Sequence, residues 1–280
     1  MPSYLHLLFD PKLFSRFFPK MFSYRVIPIY VGRIKSIKKL IGSIEKPFLN
    51  NYETIIIQVN KKTFSFTGWY NGDLTTCFFN KHYVEHNITG LGVIDVGANI
   101  ADSTISFINQ GASHVIGVEP NQKNYEYAEK NVNDNNVKSK VTLLKAGISD
   151  STNVIQIKKN SKNNVGAGFK IIKTENEQNS EKLQLYSLSD LADMLPNKPL
   201  VLKMDCEGAE YEVFATSKDD TIKRFKLIIM EYHNGSDVLV KRLEDLGFTY
   251  NIETNFDQKN RNEKGKTGYI IAKNQNIVSN

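Results

Sequence analysis

The sequence is poor in residues that crosslink a fold or anchor it in a bilayer. Two cysteines, Cys77 and Cys206, occur in 280 residues, which gives little support to a disulfide framework or a cysteine-ligated metal centre and fits a reducing, cytoplasmic interior. The apolar start is interrupted by Asp10, Pro11, Lys12, Arg16, Pro19 and Lys20, so no apolar run reaches the roughly 18 residues of a spanning helix. No small-residue cleavage site follows a clean apolar core. Internal repeats and long low-complexity tracts are missing too, which argues against a solenoid or a disordered linker. Nor is there a groove-reading motif or a stacking-sheet signature, so no nucleic-acid partner is expected.

What is present is 40% hydrophobic and 11% aromatic residues, enough for one large core or for a domain with an appendage. Thirty-six Lys and Arg against thirty Asp and Glu leave a formal charge of +6. The basic residues gather at the N-terminus, where Lys12, Arg16, Lys20, Arg25, Arg33, Lys35, Lys38, Lys39 and Lys46 are set among Phe14, Phe17, Phe18, Phe22, Tyr24 and Tyr30. This pattern reads as a solvated basic face over an apolar one, with peripheral membrane contact or an anionic substrate as the other readings.

Residues 1–88 read as an N-terminal extension, a helical basic segment followed by two β-rich runs in "TIIIQVNKKTFSFT" that form a hairpin or meander. Residues 89–280 read as the main domain. There, apolar runs such as "VIDVG", "HVIGVEP" and "PLVLKMD" alternate with amphipathic helices, the pattern of a parallel sheet covered on both faces. Residues 151–182, with "KKNSKNNVGAG" and "TENEQNSEK", break the rhythm and read as a mobile excursion. Gly247 stands where the glycine that ends a helix is expected.

The stretch "VIDVGANIADSTISFINQGASHVIGVEP", residues 93–120, carries the first chemistry. Asp95 lies near a strand end, Gly97, Ala98 and Asn99 carry the chain over the sheet edge, and Glu119 ends the next strand. Open α/β sheets bind ligands outside the carboxyl ends of their strands, and a strand-end acid there accepts hydrogen bonds from a ribose diol. The dinucleotide fingerprint needs three glycines, whereas Asn99 and Asp102 stand at the second and third positions. The Asp102 carboxylate would repel a pyrophosphate. A nucleoside without phosphates that carries a cationic sulfonium suits this turn better, and that is S-adenosylmethionine. Taken singly, Gly97 is a plain tight turn and Glu119 a strand-end acid; together in one strand-turn-helix-strand unit they point to a nucleoside site.

With "VIDVGANIADS", "VIGVEPNQKNYEYAEKNVNDNN", "LKMDCEGAEYEVF" and "LIIMEYH" in that order, the chain from about residue 91 to about 250 resembles the FkbM family of S-adenosylmethionine-dependent methyltransferases. The resemblance implies an α/β class I methyltransferase sheet, Rossmann-like and mostly parallel, with the last strand antiparallel. It implies O-methyl transfer to a hydroxyl of a sugar, glycolipid or small metabolite, with Asp95, Gly97, Asn99 and Glu119 around the cofactor. Turns of the family often carry glycine where Ala101 stands, a difference of one methyl group that a small shift of helix against strand accommodates.

"LKMDCEGAEYEVF" sets Lys203, Asp205, Glu207 and Glu210 around a strand end and a helix start, a costly grouping unless the charges pair or face a wet cleft. Asp205 is the candidate to orient the acceptor hydroxyl, take its proton or bind a divalent cation. Glu210 is a candidate catalytic acid or a plain helix-start acid, and Glu207 reads as facing solvent. Glu231 and His233 are two residues apart and share a face if the strand stays extended, so His233 is expected as general base with Glu231 orienting it. Its plain alternative is a loop histidine bonded to backbone. Asp205, Glu231 and His233 also offer an oxygen and nitrogen metal set, although no metal is required by the reading. Two other functions stay open: a non-catalytic cofactor-binding protein of the same fold, and a nicotinamide-dependent oxidoreductase. Acceptor choice is expected to lie with the N-terminal segment and residues 151–182, and Trp69 and Tyr70 either stack on a sugar or fill core.

Overall fold

A computed structural model describes residues 54–59, 62–68, 74–158, 174, 180–196, 198–254 and 266–277. The basic segment 12–46, Trp69, Tyr70 and most of the polar stretch 159–179 lie outside the described residues.

Strands β1 (Thr54–Val59) and β2 (Lys62–Thr67) pair antiparallel and lead into the short helices α1 (Leu74–Phe79) and α2 (Lys81–Val84). Then strand and helix alternate: β3 (Gly92–Val96), α3 (Asp102–Asn109), β4 (His114–Val118), α4 (Gln122–Asp134) and β5 (Val141–Leu144). Next come β6 (Ala146–Ser149), β7 (Asn153–Lys158), β8 (Ser180–Ser187) and α5 (Leu188–Asp193). The chain closes with β9 (Leu200–Met204), α6 (Glu210–Thr216), α7 (Asp219–Lys223), β10 (Phe225–Tyr232), α8 (Asp237–Asp245), β11 (Phe248–Thr254) and β12 (Gly268–Asn274).

Seven strands form one sheet in the order β11-β12-β10-β9-β3-β4-β5. The run β10-β9-β3-β4-β5 is parallel, and β12, the last strand of the chain, is antiparallel to both its neighbours. This is the Rossmann-like methyltransferase sheet expected from the apolar runs and the resemblance. Every residue of β3 and β9 is buried, because both faces of the central strands are covered. On one face Val93, Val201 and Ile229 pack with Phe66, Phe78, Tyr83 and Phe107 of the hairpin and helices. On the other, Ile94, Leu202, Ile228 and Met230 pack with Phe214, Leu239 and Leu243. The hairpin and the first two helices therefore share a core with the main sheet.

By the same alternation, Asp95 and Lys203 sit on the face covered by the hairpin side, and they are direct neighbours in the β3–β9 register. The stretch after residue 150 differs from the sequence reading. Asn153–Lys158 forms β7, antiparallel to β8 in a separate sheet of order β6-β8-β7. Its period-2 signal is real: Ile155 and Ile157 pack on Leu183 and Leu185, but the polar residues that follow mask it in the sequence. Gly247 follows α8 with φ of +83°, the left-handed position that ends a helix. Among the described residues no helix is long and apolar enough to cross a membrane.

Candidate functional site

The turn after β3 is built from backbone held in unusual conformations. Gly97, Asn99 and Ala101 take φ of +77°, +49° and +64°. Ala101 caps α3 in that conformation with its methyl group fully buried; the left-handed backbone costs about 1–2 kcal/mol, offset in part by burial of the methyl, about 0.8 kcal/mol. The N–H groups of this turn point inward. Those of Gly97 and Ala98 both donate to the Val118 carbonyl, and that of Ala101 to Ala98. Asn99 N–H donates to Glu119 Oε2 at 2.9 Å and Asn121 N–H to Glu119 Oε1 at 2.8 Å. A pyrophosphate cradle needs such N–H groups free, so the turn is unsuited to a dinucleotide.

Glu119 is a buried carboxylate, not an exposed strand-end acid. Burial pushes its pKa up to about 7 against the lowering effect of the Asn121 and Asn99 N–H groups. A carboxylate in that state gains from further donors, and its remaining lone pairs suit the two hydroxyls of a ribose. The carboxylate acceptor thus fits a phosphate-free nucleoside such as S-adenosylmethionine.

Asp95 does not face that ligand position. It is fully buried, and its Oδ2 accepts from Ser103 Oγ at 2.7 Å and Thr104 Oγ1 at 2.6 Å. Lys203 Nζ lies 3.2 Å from Asp95 Oδ1 while donating to the carbonyls of Val96 (3.2 Å) and Gly97 (2.7 Å). The contact with Oδ1 is Coulombic, since that oxygen receives no hydrogen bond. Burial alone would lower the Lys203 ammonium, but Asp95 and then Asp205 outweigh it and raise it, so the lysine stays charged. Asp95 and Lys203 hold the turn from beneath. Gly97 likewise answers to its neighbour strand: a Cβ there would stand 1.8 Å from the Asp205 carbonyl oxygen.

The acid cluster lies against this turn, with Asp205 N–H donating to the Val96 carbonyl at 3.1 Å. Glu210, at the first position of α6, is fully buried. Its Oε2 accepts from Gly208 N–H at 2.9 Å and Cys206 Sγ at 3.4 Å, and its Oε1 is bonded to His233 Nδ1 at 2.9 Å. His233 Nε2 lies 3.6 Å from Glu207 Oε2 and 3.8 Å from Asp205 Oδ1. Burial pushes the imidazole down, but the Glu210 bond and charge, then Asp205 and Glu207, raise its pKa to about 9.

Three expectations change here. The residue that orients His233 is Glu210, not Glu231, because β10 ends at Tyr232 and the chain turns before His233. The acids around His233 favour its protonated form, which suits a donor better than a free base. Glu207 turns toward the imidazole rather than to solvent. Asp205, Glu207 and His233 bring one ligand atom each within 4.8 Å of one another, replacing Glu231 in the expected metal set; a cation there would first have to displace the ring proton.

Glu231 sits one strand over, on the hairpin side with Lys203, directly opposite Tyr269 in the β10–β12 register and hydrogen-bonded to it. Burial, then the nearby Asp205 charge, pushes Glu231 up to about 7. The pH dependence of the His233 pair has a definite sign. Its pKa is raised on folding from 6.5 to about 9, so its stabilisation is complete below about pH 6.5 and is lost as pH rises through about 9. Glu210→Gln is therefore expected to cost on the order of a few kcal/mol near pH 6 and much less near pH 10, as read by urea unfolding. A gap that does not narrow with pH would overturn the pairing.

A family model for the methyltransferase FkbM domain matches residues 95–250, more than half of the chain. The chain belongs to the FkbM methyltransferase family. The solved structure of methyltransferase FkbM from Methylobacillus flagellatus KT aligns with a TM-score of 0.47 at 16% identity, over 72% of this chain and 48% of that one. The present chain thus spans about half the length of that relative. Precorrin-6y C5,15-methyltransferase from Geobacter metallireducens GS-15 aligns at TM-score 0.39 and 16% identity, over 66% of this chain and 80% of that one. An rRNA methylase from Streptococcus thermophilus aligns at TM-score 0.42 and 8% identity, over 69% and 92%. At these identities the likeness is one of fold. No curated protein matches the sequence.

Within the FkbM domain, the sequence named Lys203 without a partner and passed over Ser103, Thr104 and Tyr269. Lys203 was visible as a lone lysine in an apolar strand, an anomaly that a buried ion pair explains. Ser103 and Thr104 gave only the ordinary signal of a helix start. The pairing of Tyr269 with Glu231 depends on register across the sheet and has no local signature.

Proposed function

We propose that this FkbM domain is an S-adenosylmethionine-dependent O-methyltransferase acting on a hydroxyl of a glycan or small metabolite. The observation that carries the reading is the direct contact between the turn that ends in Glu119 hydrogen bonds and the acid cluster after β9, through Asp205 and Gly97. When bound, the cofactor supplies an electrophilic methyl group on a sulfonium. Glu119, oriented by the Asn99 and Asn121 N–H groups, holds the ribose end. The carboxylates of Asp205 and Glu207 favour a positive charge at the sheet edge.

Glu231 is the proton acceptor in this reading. A carboxylate whose pKa lies at about 7 is balanced between being ionised at neutral pH and being basic enough to take a hydroxyl proton. Tyr269 fixes its orientation. His233, clamped by the buried Glu210, acts as a charged donor that holds the acceptor oxygen and neutralises the surrounding acids. Asp205, half-exposed at the junction, orients the hydroxyl.

Glu119→Ala is expected to weaken binding of S-adenosylmethionine by roughly 10–100-fold, the loss of hydrogen bonds to a charged group, as measured by titration calorimetry. Glu231→Gln should leave that affinity within about twofold and lower S-adenosylhomocysteine release on hydroxylated acceptors by about 10²–10⁴-fold. Binding of NADH in place of S-adenosylmethionine would overturn the cofactor reading.

A further inference from the structure

A groove of about 320 Å³ runs on the hairpin side of the sheet, between α2, the edge strand β11 and its neighbour β12. Lys81, His82 and His86 form one wall, and Asn251, Glu253 and Lys273 the other. Glu253 and Glu231 both lie opposite Tyr269, on its two flanking strands. His82 Nε2 pairs with Glu253 Oε2 at 2.6 Å, and the His82 ring stacks on Tyr269 with centroids 5.5 Å apart and planes at 26°. A single aromatic ring therefore separates the groove from the carboxylate assigned to take the proton.

The lining mixes polar side chains with Tyr250 and Ile271 and is balanced in charge, Lys81 and Lys273 against Glu85 and Glu253. Burial lowers the pKa of both His82 and His86, so neither imidazole adds a full charge near neutral pH. The His86 ring is hydrogen-bonded to the backbone of His82, while its Nε2 is buried with no partner among the described residues. A neutral imidazole bonded through one nitrogen to a carbonyl leaves the other as a bare acceptor, which a hydroxyl group satisfies. An acyl chain would strand these polar groups, and a polyanion would meet two carboxylates.

We propose that this groove is a second acceptor subsite, holding the part of the substrate remote from the reacting hydroxyl, and that its occupant is an uncharged oligosaccharide. The inference rests on Glu231 marking the acceptor end of the site, and it assigns the edge of the sheet, rather than the polar stretch 151–182, as a determinant of acceptor choice.

The test is a glycan array of neutral, amino-sugar and uronic-acid oligosaccharides, probed with the full chain in the presence of S-adenosylhomocysteine. Neutral oligosaccharides should be captured preferentially. Asn251→Trp, which fills the groove from an exposed strand position, should lower capture by about tenfold or more while affinity for S-adenosylhomocysteine stays within about twofold. Lys273→Glu, a second exposed change, should lower it as well. Absence of glycan capture, preference for uronic acids, or capture unchanged in both variants would overturn the subsite while S-adenosylhomocysteine still binds. Failure of S-adenosylhomocysteine to bind the unaltered chain would instead overturn the methyltransferase reading.

Discussion

Gly97→Ala is expected to destabilise the protein by roughly 2–5 kcal/mol, the sum of a left-handed backbone penalty of about 1–2 kcal/mol and an overpacking cost of about 1–3 kcal/mol. The added Cβ would stand 1.8 Å from the Asp205 carbonyl oxygen, which is backbone and cannot swing aside. Either β3 and β9 separate at their carboxyl ends or the turn takes another path, and both break the inward hydrogen bonds that position Glu119. At about 2–4 °C per kcal/mol for a chain of this size, the melting temperature should fall by roughly 5–20 °C. Gly90 supplies the control. Its φ is +76°, close to the +77° of Gly97, but nothing lies within 4 Å of a Cβ built there. Gly90→Ala should therefore carry only the backbone penalty, about 1–2 kcal/mol. Differential scanning fluorimetry of the two variants separates strain from crowding, and equal losses would show that the approach of Asp205 is not what demands glycine at this position.

This comparison also shows which part of the site was legible in the sequence. The strand-turn-helix-strand unit from Val93 to Glu119 was readable because strands buried on both faces are apolar throughout and the turn residues interrupt them sharply. The need for glycine at residue 97 was readable too, but not its cause, since the carbonyl it avoids belongs to a residue 108 positions later in the chain, at Asp205. His233 failed in the same way. Two-residue spacing on a strand pointed to Glu231, yet the strand stops at Tyr232 and the buried carboxylate of Glu210 arrives from the start of α6. Partners supplied by a different element leave no periodicity to read. For β7 the local signal existed, in the alternation of Val154, Ile155, Gln156 and Ile157, but the asparagines and lysines after it outweighed four residues of pattern.

Lys203→Met is the second large effect expected, a loss of about 3–5 kcal/mol, because it leaves the charge of Asp95 buried without its partner. Asp95 is fully buried and Lys203 nearly so. The hydroxyls of Ser103 and Thr104 reach only Oδ2, so without the ammonium no positive charge stands near Oδ1. The Val96 and Gly97 carbonyls lose their donor as well. Adding Asp95→Asn to the variant removes the orphaned charge, so the double variant should be more stable than Lys203→Met alone, a coupling that a double-mutant cycle by urea unfolding measures directly. If Lys203→Met costs less than about 1 kcal/mol, or if the double variant is no better, then the ammonium is not what stabilises Asp95 beneath the turn. A large, coupled loss would instead place the electrostatic centre of the FkbM domain under the cofactor turn, with Lys203 as the group through which β9 holds the end of β3.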